Sequence, residues 1–418
     1  MTDRPLATDL LLSAGRLLLE YNESTGEIHR ALGETAQALS DERCRVSISY
    51  HDVAVSLADD SPAHETVREL RYNAAVQTRV HHILDQVRRH TLDATTALSS
   101  LARVETDTPR HSRWLAVLLL GCAAASFARL LSADAQGMTV AGLATSLGLL
   151  ARQELGQRHF SLLTMPLAAA FIGAFLGGLA IRQGWTRSPE LVVVVPALML
   201  VPGPHLINGL FDLIDNQVPM SLFRLGLAAA ILLASALGIV LGVELTVPDY
   251  DFSAPSGSAG DLNLIGDMAL AGIATCGFAV FFNVEWPHLG LAVAGGMAGH
   301  GVRFLALGAG VAPDAAAFLG GLTVGAVAGW MARRSRSPVA VTAFAGAVTM
   351  IPGLSLYRAL SSARQLAHLG DGTHAGLLVE TLFGHAFQAC LVIGGLGLGL
   401  IVGARLMLAL GSKRARDT

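Results

Sequence analysis

The chain has 418 residues, 52% of them hydrophobic and only 15% charged, with a mean hydropathy of +0.52; no ordinary soluble globule has that composition. Its net charge of −3 offers no basic surface of the sort a nucleic-acid-binding protein needs. Cys44, Cys122, Cys276 and Cys390 lie far apart without paired spacing, and there is no GxxxxGK[ST] loop, GxSxG elbow or HExxH helix. The expectation is therefore no catalytic residues, no metal, no cofactor and no enzyme.

Charge divides the chain. Residues 1–113 hold 30 of its 61 Asp, Glu, Lys and Arg side chains. In this head, Leu10, Ala14, Leu17 and Leu18, and then Ile28, Leu32, Ala36 and Leu39, recur at helical spacing and predict two amphipathic helices. Val46, Ile48 and Tyr50 alternate, as do Val53, Val55 and Leu57, around His51-Asp52, which predicts a β-hairpin. From Pro62 to about Leu101 the pattern reads as helical and charged. Glu20, Glu23 and Glu27 follow the early leucines and no A-x-A site closes an apolar core, so this is no secretory signal and the α+β head is expected in the cytoplasm.

Apolar segments follow at 114–132, 138–151, 162–181, 190–216, 219–243, 263–283, 288–308, 313–332, 339–362 and 376–410. They predict a mainly α, polytopic membrane bundle of ten crossings. A first five-helix repeat covers 114–245, an extracytoplasmic linker 246–262, a second repeat 263–412 and a basic cytoplasmic tail 413–418. The repeat is legible in the residues. Arg187-Ser188-Pro189, an apolar run and Val201-Pro202-Gly203 return as Arg336-Ser337-Pro338, another run and Ile351-Pro352-Gly353, while Arg152 matches Arg303 and Arg182 matches Arg333. An odd number of crossings per half inverts the second repeat, an arrangement that carriers use with substrate sites at interrupted helices. Crossing a hydrocarbon core of about 30 Å takes about 20 helical residues, more than Glu190 to Val201 supplies. The chain must turn back at Pro202-Gly203 or finish the crossing with a second short helix. Basic residues near the membrane ends favour an inside head by ten to five.

After the first break, Asn208, Asp212 and Asp215 share one helical face; after the second, Tyr357, Arg358 and Ser361 form a polar, cationic arm. A zwitterion needs a carboxylate for its ammonium and a cation for its carboxylate, so Asp212 and Arg358 are the expected substrate pair, flanked by Pro202, Gly203, Pro352 and Gly353. The plainer alternatives are an interfacial helix with its acids in water, a snorkelling Arg358, and Arg224 neutralising Asp212 or Asp215. Among the other polar residues of the apolar segments, Asp267, His300, Glu380, His385 and Gln388, the expected proton-coupling groups are Glu380 and His385, together with Asp212. An intramembrane aspartyl enzyme is disfavoured because Asp212 and Asp215 lie on one helix; a passive channel is the remaining class.

Three stretches, LLLSAGRLLLEYNESTGEIHRALGETAQAL, PALMLVPGPHLINGLFDLIDNQ and PVAVTAFAGAVTMIPGLSLYRAL, resemble the threonine/serine exporter family. The first two resemble its larger module and the third its smaller one, here fused. The resemblance implies a bacterial inner-membrane carrier with both termini inside that exports threonine, serine or similar small hydroxy amino acids using the proton gradient, by antiport, with the lipid bilayer as its surroundings and a homo-oligomer left open. Glu20-Tyr21-Asn22-Glu23 departs from the family's more usual small residues followed by Arg and Glu. Two-subunit relatives resemble dicarboxylate exporters, which makes a succinate-like substrate the alternative.

Overall fold

The chain is described by a computed structural model over residues 4–40, 44–57, 61–67, 70–248, 261–335, 339–367 and 375–414. The early leucines form α1 (Arg4–Glu20), in which Leu10, Leu11, Leu17, Leu18 and Leu19 are all buried. Leucines that cover more than one stripe make α1 a central helix rather than a surface one. It packs against α2 (Thr25–Leu39) and a three-stranded antiparallel sheet of β1 (Cys44–Ile48), β2 (Asp52–Leu57) and β3 (Ala63–Thr66), in that order. β1 and β2 form the expected hairpin, with Val46 opposite Val55 and Ile48 opposite Val53.

β3 corrects the reading of 62–101 as helical throughout. It is an edge strand bonded only to β2, and Ala63-His64-Glu65-Thr66 lacks the apolar alternation that a buried strand requires, so periodicity misses it. Helices α3 (Ala74–Arg88) and α4 (Ala94–Asp107) follow, capped where Asn73 and Asp93 accept from the backbone N–H of Val76 and Thr96. Val76, Val80, Leu84, Ala97 and Leu101 join the core around α1.

Beyond residue 112 the chain is helical: α5 (Arg113–Leu130), α6 (Ala135–Gln157), α7 (Thr164–Arg182), α8 (Pro189–Leu198), α9 (Gly203–Ile214) and α10 (Val218–Thr246). The same order recurs as α11 (Leu264–Phe281), α12 (Trp286–Gly308), α13 (Pro313–Ser335), α14 (Val339–Ala347) with a 3-10 turn at Val348–Met350, α15 (Gly353–Ala367) and α16 (Ala375–Arg414). Among the described residues seven helices are long and apolar enough to cross a membrane, or nine spans if α8 with α9 and α14–turn with α15 each count as one. The remaining expected segment, α6, has the length, but polar residues including Arg152, Gln153 and Glu154 leave it outside that set. The motif Arg336-Ser337-Pro338, most of the linker and the end of the tail lie outside the described residues.

Both broken pairs bend at their Pro-Gly, by 62° and 50°. Pro202 and Pro352 have no N–H to continue a helix, and each disfavours helical backbone in the residue before it. A tight turn replaces the helix: Gly203 N–H donates to Val201 O at 2.8 Å, and Gly353 N–H to Ile351 O at 2.8 Å. The two breaks touch. A Cβ on Gly203 would lie 2.6 Å from Phe344 Cζ, and one on Gly353 would lie 2.5 Å from Leu198 Cδ2.

Close helix approach depends on glycine at Gly325 of α13, where a Cβ would sit 2.1 Å from the carbonyl oxygen of Leu400 on α16. A backbone atom cannot swing away. Gly325→Ala is expected to destabilise the protein by about 1–3 kcal/mol, as overpacking does, and to lower the thermal unfolding temperature in detergent; Gly226→Ala, with open space at its Cβ, should leave it unchanged.

Candidate functional site at the first helix break

On α9, His205, Asn208 and Asp212 fall at i, i+3 and i+7 and so share one face; all three are buried, His205 to 1% exposure and Asp212 to 0%. What buries them is the corner between α1 and α2. Asn22 turns it with φ of +61°, a conformation Asn tolerates better than most residues. The Asn208 amide donates to Asn22 O. Asp212 Oδ1 accepts from Thr25 N–H at 2.8 Å, so a carboxylate of α9 caps the N-terminus of α2, whose own N-cap residue Ser24 makes no side-chain cap bond. Arg224 of α10 approaches Asp212 Oδ2 to 3.1 Å, outside hydrogen-bond angles, and donates to Glu23 O. Further out, Glu23 meets His81 at 3.2 Å, and Gln77 donates to Tyr21 O at 2.8 Å.

Between this corner and the break lies a cavity of about 40 Å³ whose walls include Tyr21, Asn22, Tyr72, Asn208, Phe282 and Phe344. Both side-chain polar atoms of Asn22, the Tyr72 hydroxyl, His205 Nδ1 and Asn208 Oδ1 are buried without a hydrogen-bond partner among the described residues. Buried polar atoms in native proteins nearly always have partners; a cluster of five without them fits a site that takes a polar molecule. Tyr72 stacks edge-on against His205 and Phe282. Burial pushes its phenol up, while Arg152 and Arg224 pull the other way, and Arg152 itself lies over the Phe281 ring at 5.6 Å. Burial, aided by the hydrogen bond to Glu105, also pushes the Tyr21 phenol up to about 12. Both hydroxyls are thus held as donors.

The second module contributes through Phe344 and through the turn after α11. Asn283, with φ of +58°, donates to Asn73 Oδ1 at 2.7 Å and accepts from His111 N–H at 2.8 Å, and Ala74 N–H donates to Phe282 O at 2.9 Å. These bonds fix the start of α3 against the membrane helices.

A family model described as "Putative threonine/serine exporter" matches residues 9–246, and one described as "Threonine/Serine exporter, ThrE" matches residues 267–405. The chain belongs to the threonine/serine exporter family. It is a multi-pass membrane protein of a transporter family, with both modules on one polypeptide. It is similar to the "Probable succinate transporter subunit YjjP" of Escherichia coli (strain K12), 24% identical over 242 residues, 57% of this chain and 94% of the relative. The protein of that name from Klebsiella aerogenes is 23% identical over 248 residues, 58% of this chain and 95% of the relative. No solved structure matches.

Of the residues expected to bind substrate, Asn208 lines the cavity, Asp212 stands at its corner on Thr25, and Gly203, after Pro202 at the break, packs on Phe344 of its wall. Asp215 pairs with Arg405 of α16 and lies against Gly26 in the first turn of α2, beside the corner and not on the cavity wall. Asp212 and Arg358 do not form the expected pair. Arg358 instead grips Glu190 at the start of α8 through two bonds of 2.9 Å, and Asp212 has Arg224, one of the alternatives read from the sequence. Asp212 and Glu190 thus each have an opposite charge close by, where desolvation is offset. Gly353, after Pro352, packs on Leu198, Tyr357 joins an apolar cluster with Ala197 and Leu200, and Ser361 is half-buried on α15. Glu380 is exposed and His385 half-buried near the start of α16. Gly397, where α16 meets Leu210 of α9, lies about 25 Å along the helix from Glu380 at about 1.5 Å per residue.

Sequence reasoning missed His205, Tyr72, Asn22, Thr25 and Glu190. His205 stands two residues after Gly203, a signal that was available; the others come from distant segments.

Proposed function

We propose that this exporter is a secondary active carrier that moves threonine, serine or a similar small hydroxy amino acid outward across the bacterial inner membrane. It is driven by the proton gradient and alternates access about its two broken helices, related as an inverted repeat of five crossings each. The N-terminal segment and the C-terminus face the cytoplasm. The observation that carries this reading is the mixed, uncharged set of unpartnered groups at the cavity. Asn22 Oδ1 and Asn208 Oδ1 can accept from an ammonium, while the Tyr72 hydroxyl and the Asn22 amide can donate to a carboxylate or a hydroxyl. The alpha-amino acid has both ends. In this reading the corner at Asn22–Thr25 closes the cavity from the cytoplasm and must move for loading.

One observation favours a dicarboxylate instead. Arg152 lies over the ring of Phe281, next to Phe282 of the cavity wall, and Arg224 donates to Glu23 O, next to Asn22, so two cations border the site, and the relatives named above are called succinate transporter subunits.

Counterflow in proteoliposomes separates the readings. Labelled threonine and serine should exchange saturably, and Asn208→Leu should remove the exchange while the protein still reconstitutes. Exchange of succinate but of neither amino acid sinks the leading reading, and flux that does not saturate makes the protein a channel.

A further inference from the structure

A second set of buried ionisable groups lies apart from the cavity. Asp267 stands in the first turn of α11 and His300 on α12, with Oδ2 and Nδ1 2.6 Å apart and exposures of only 6% and 4%. Arg303 follows His300 by one turn. Its Nε is buried without a hydrogen-bond partner among the described residues, and the charge of Asp267 acts on it.

An acid, an imidazole and a guanidinium inside apolar helices are expensive, and such groups within membrane spans mark pathways and relays. The packing around them is tight and runs through α13 to the second break. A Cβ on Gly301 would lie 2.9 Å from Met268, next to Asp267; one on Gly299 would lie 2.4 Å from Val324 Cγ2 and 2.9 Å from Gly320 O, both of α13, and one on Gly320 would lie 2.6 Å from Met350 Sδ. Met350 ends the 3-10 turn that leads into Pro352-Gly353. His300 is therefore flanked by two glycines, one against the helix that carries Asp267 and the other against α13, whose Gly320 in turn meets the turn of the broken pair.

We propose that the Asp267–His300 pair is the exporter's proton-binding site, with Arg303 as its fixed positive charge. Without the proton, Asp267 and Arg303 balance and the imidazole is neutral. Binding one proton adds one positive charge to the pair, and no other bond forms or breaks. That charge, desolvated beside Arg303, favours a conformation in which the α12 interface opens to water, and the displacement passes through Gly299 and Met350 to the second break. The helices packed on this site carry few other charges: Arg113 and Arg129 at the two ends of α5, and Asp314, Arg333 and Arg334 on α13, while α14 and the 3-10 turn carry none. Glu380 and His385, the candidates read from the sequence, lie toward the start of α16 on exposed or half-buried faces, and Asp212 is matched by Arg224 and Thr25. The Asp267–His300 pair is buried and packed toward the second break.

This inference rests on the proton-driven reading above, and the experiment distinguishes the two. Wild type, Asp267→Asn, His300→Gln and Asp267→Glu are reconstituted, and labelled threonine, with succinate as a second substrate, is followed in two ways: exchange without a pH gradient, and accumulation against a gradient of the substrate driven by a pH difference. The expected result is that Asp267→Asn and His300→Gln keep exchange near the wild-type rate and lose driven accumulation. Asp267→Glu, which retains the carboxylate, should keep driven accumulation with a shifted pH midpoint. Driven accumulation that survives in Asp267→Asn and His300→Gln with the wild-type pH profile overturns the inference alone. Equal loss of exchange and of driven accumulation also overturns it, since the pair would then be structural. A wild-type protein that exchanges substrate but ignores the pH difference overturns both the inference and the proton-driven reading.

Discussion

Replacing Arg224 by Met should destabilise the protein by about 3–5 kcal/mol, the usual cost of leaving one member of a buried ion pair alone. The thermal unfolding temperature in detergent should fall accordingly, and adding Asp212→Asn should recover most of the loss. Arg224 and Asp212 are both fully buried, and each reaches beyond the pair, Arg224 to Glu23 O and Asp212 to Thr25 N–H. With Met at 224, Asp212 has no nearby cation and must either hold an unpaired buried charge or take up a proton, and both cost stability. An Asn at 212 removes that charge and can still accept from Thr25 N–H. If the double variant is no more stable than Arg224→Met, the penalty comes from lost packing of the long Arg side chain and not from the orphaned carboxylate.

Gly203→Ala should slow transport strongly while leaving the protein folded, and Phe344→Ala in the same chain should restore much of the rate. The added methyl would lie 2.6 Å from Phe344 Cζ and 3.1 Å from Cε2. Phe344 cannot swing aside easily, because it is buried and stacked edge-on against Phe282 at 4.7 Å. Overpacking of this kind costs about 1–3 kcal/mol, worth about five- to a hundredfold if it falls on the rate-limiting conformational step. Gly353→Ala meets the tip of Leu198, a side chain with other rotamers, so its effect on flux should be smaller. Equal effects of the two substitutions, measured as initial rates in the same vesicles, would remove the rigidity of Phe344 as the cause.

What was legible in the sequence was local. Pro202-Gly203 and Pro352-Gly353 announce their own breaks because a missing N–H acts on the very residues around it, and the spacing of Asn208 and Asp212 places both on one face. The hairpin at 46–57 was readable for the same reason. Thr25 and Asp212, by contrast, stand 187 positions apart, and no periodicity in either segment encodes a partner in the other. Arg358 and Glu190 are 168 positions apart. The charges of α9 and α15 show in the sequence as an acidic and a cationic arm, opposite in sign and so expected to pair; the structure gives Asp212 to Arg224 and Arg358 to Glu190 instead. Tyr72 had no pattern at all. It sits in the connection between β3 and α3, where a single aromatic residue carries no sign of which wall it will line.

The two touching breaks also say what a cut chain would keep. Divide the polypeptide between Pro248 and Asp261, and Thr25–Asp212 and Arg224–Glu23 remain inside the first fragment. The contact of Gly203 with Phe344, the grip of Arg358 on Glu190 and the bonds of Asn283 to Asn73 and His111 all become contacts between fragments. The first fragment would bring the polar wall of the cavity and the second its aromatic lid, so neither holds a closed chamber. Two genes can share this architecture only by co-assembly, and fusion secures equal copies of both parts.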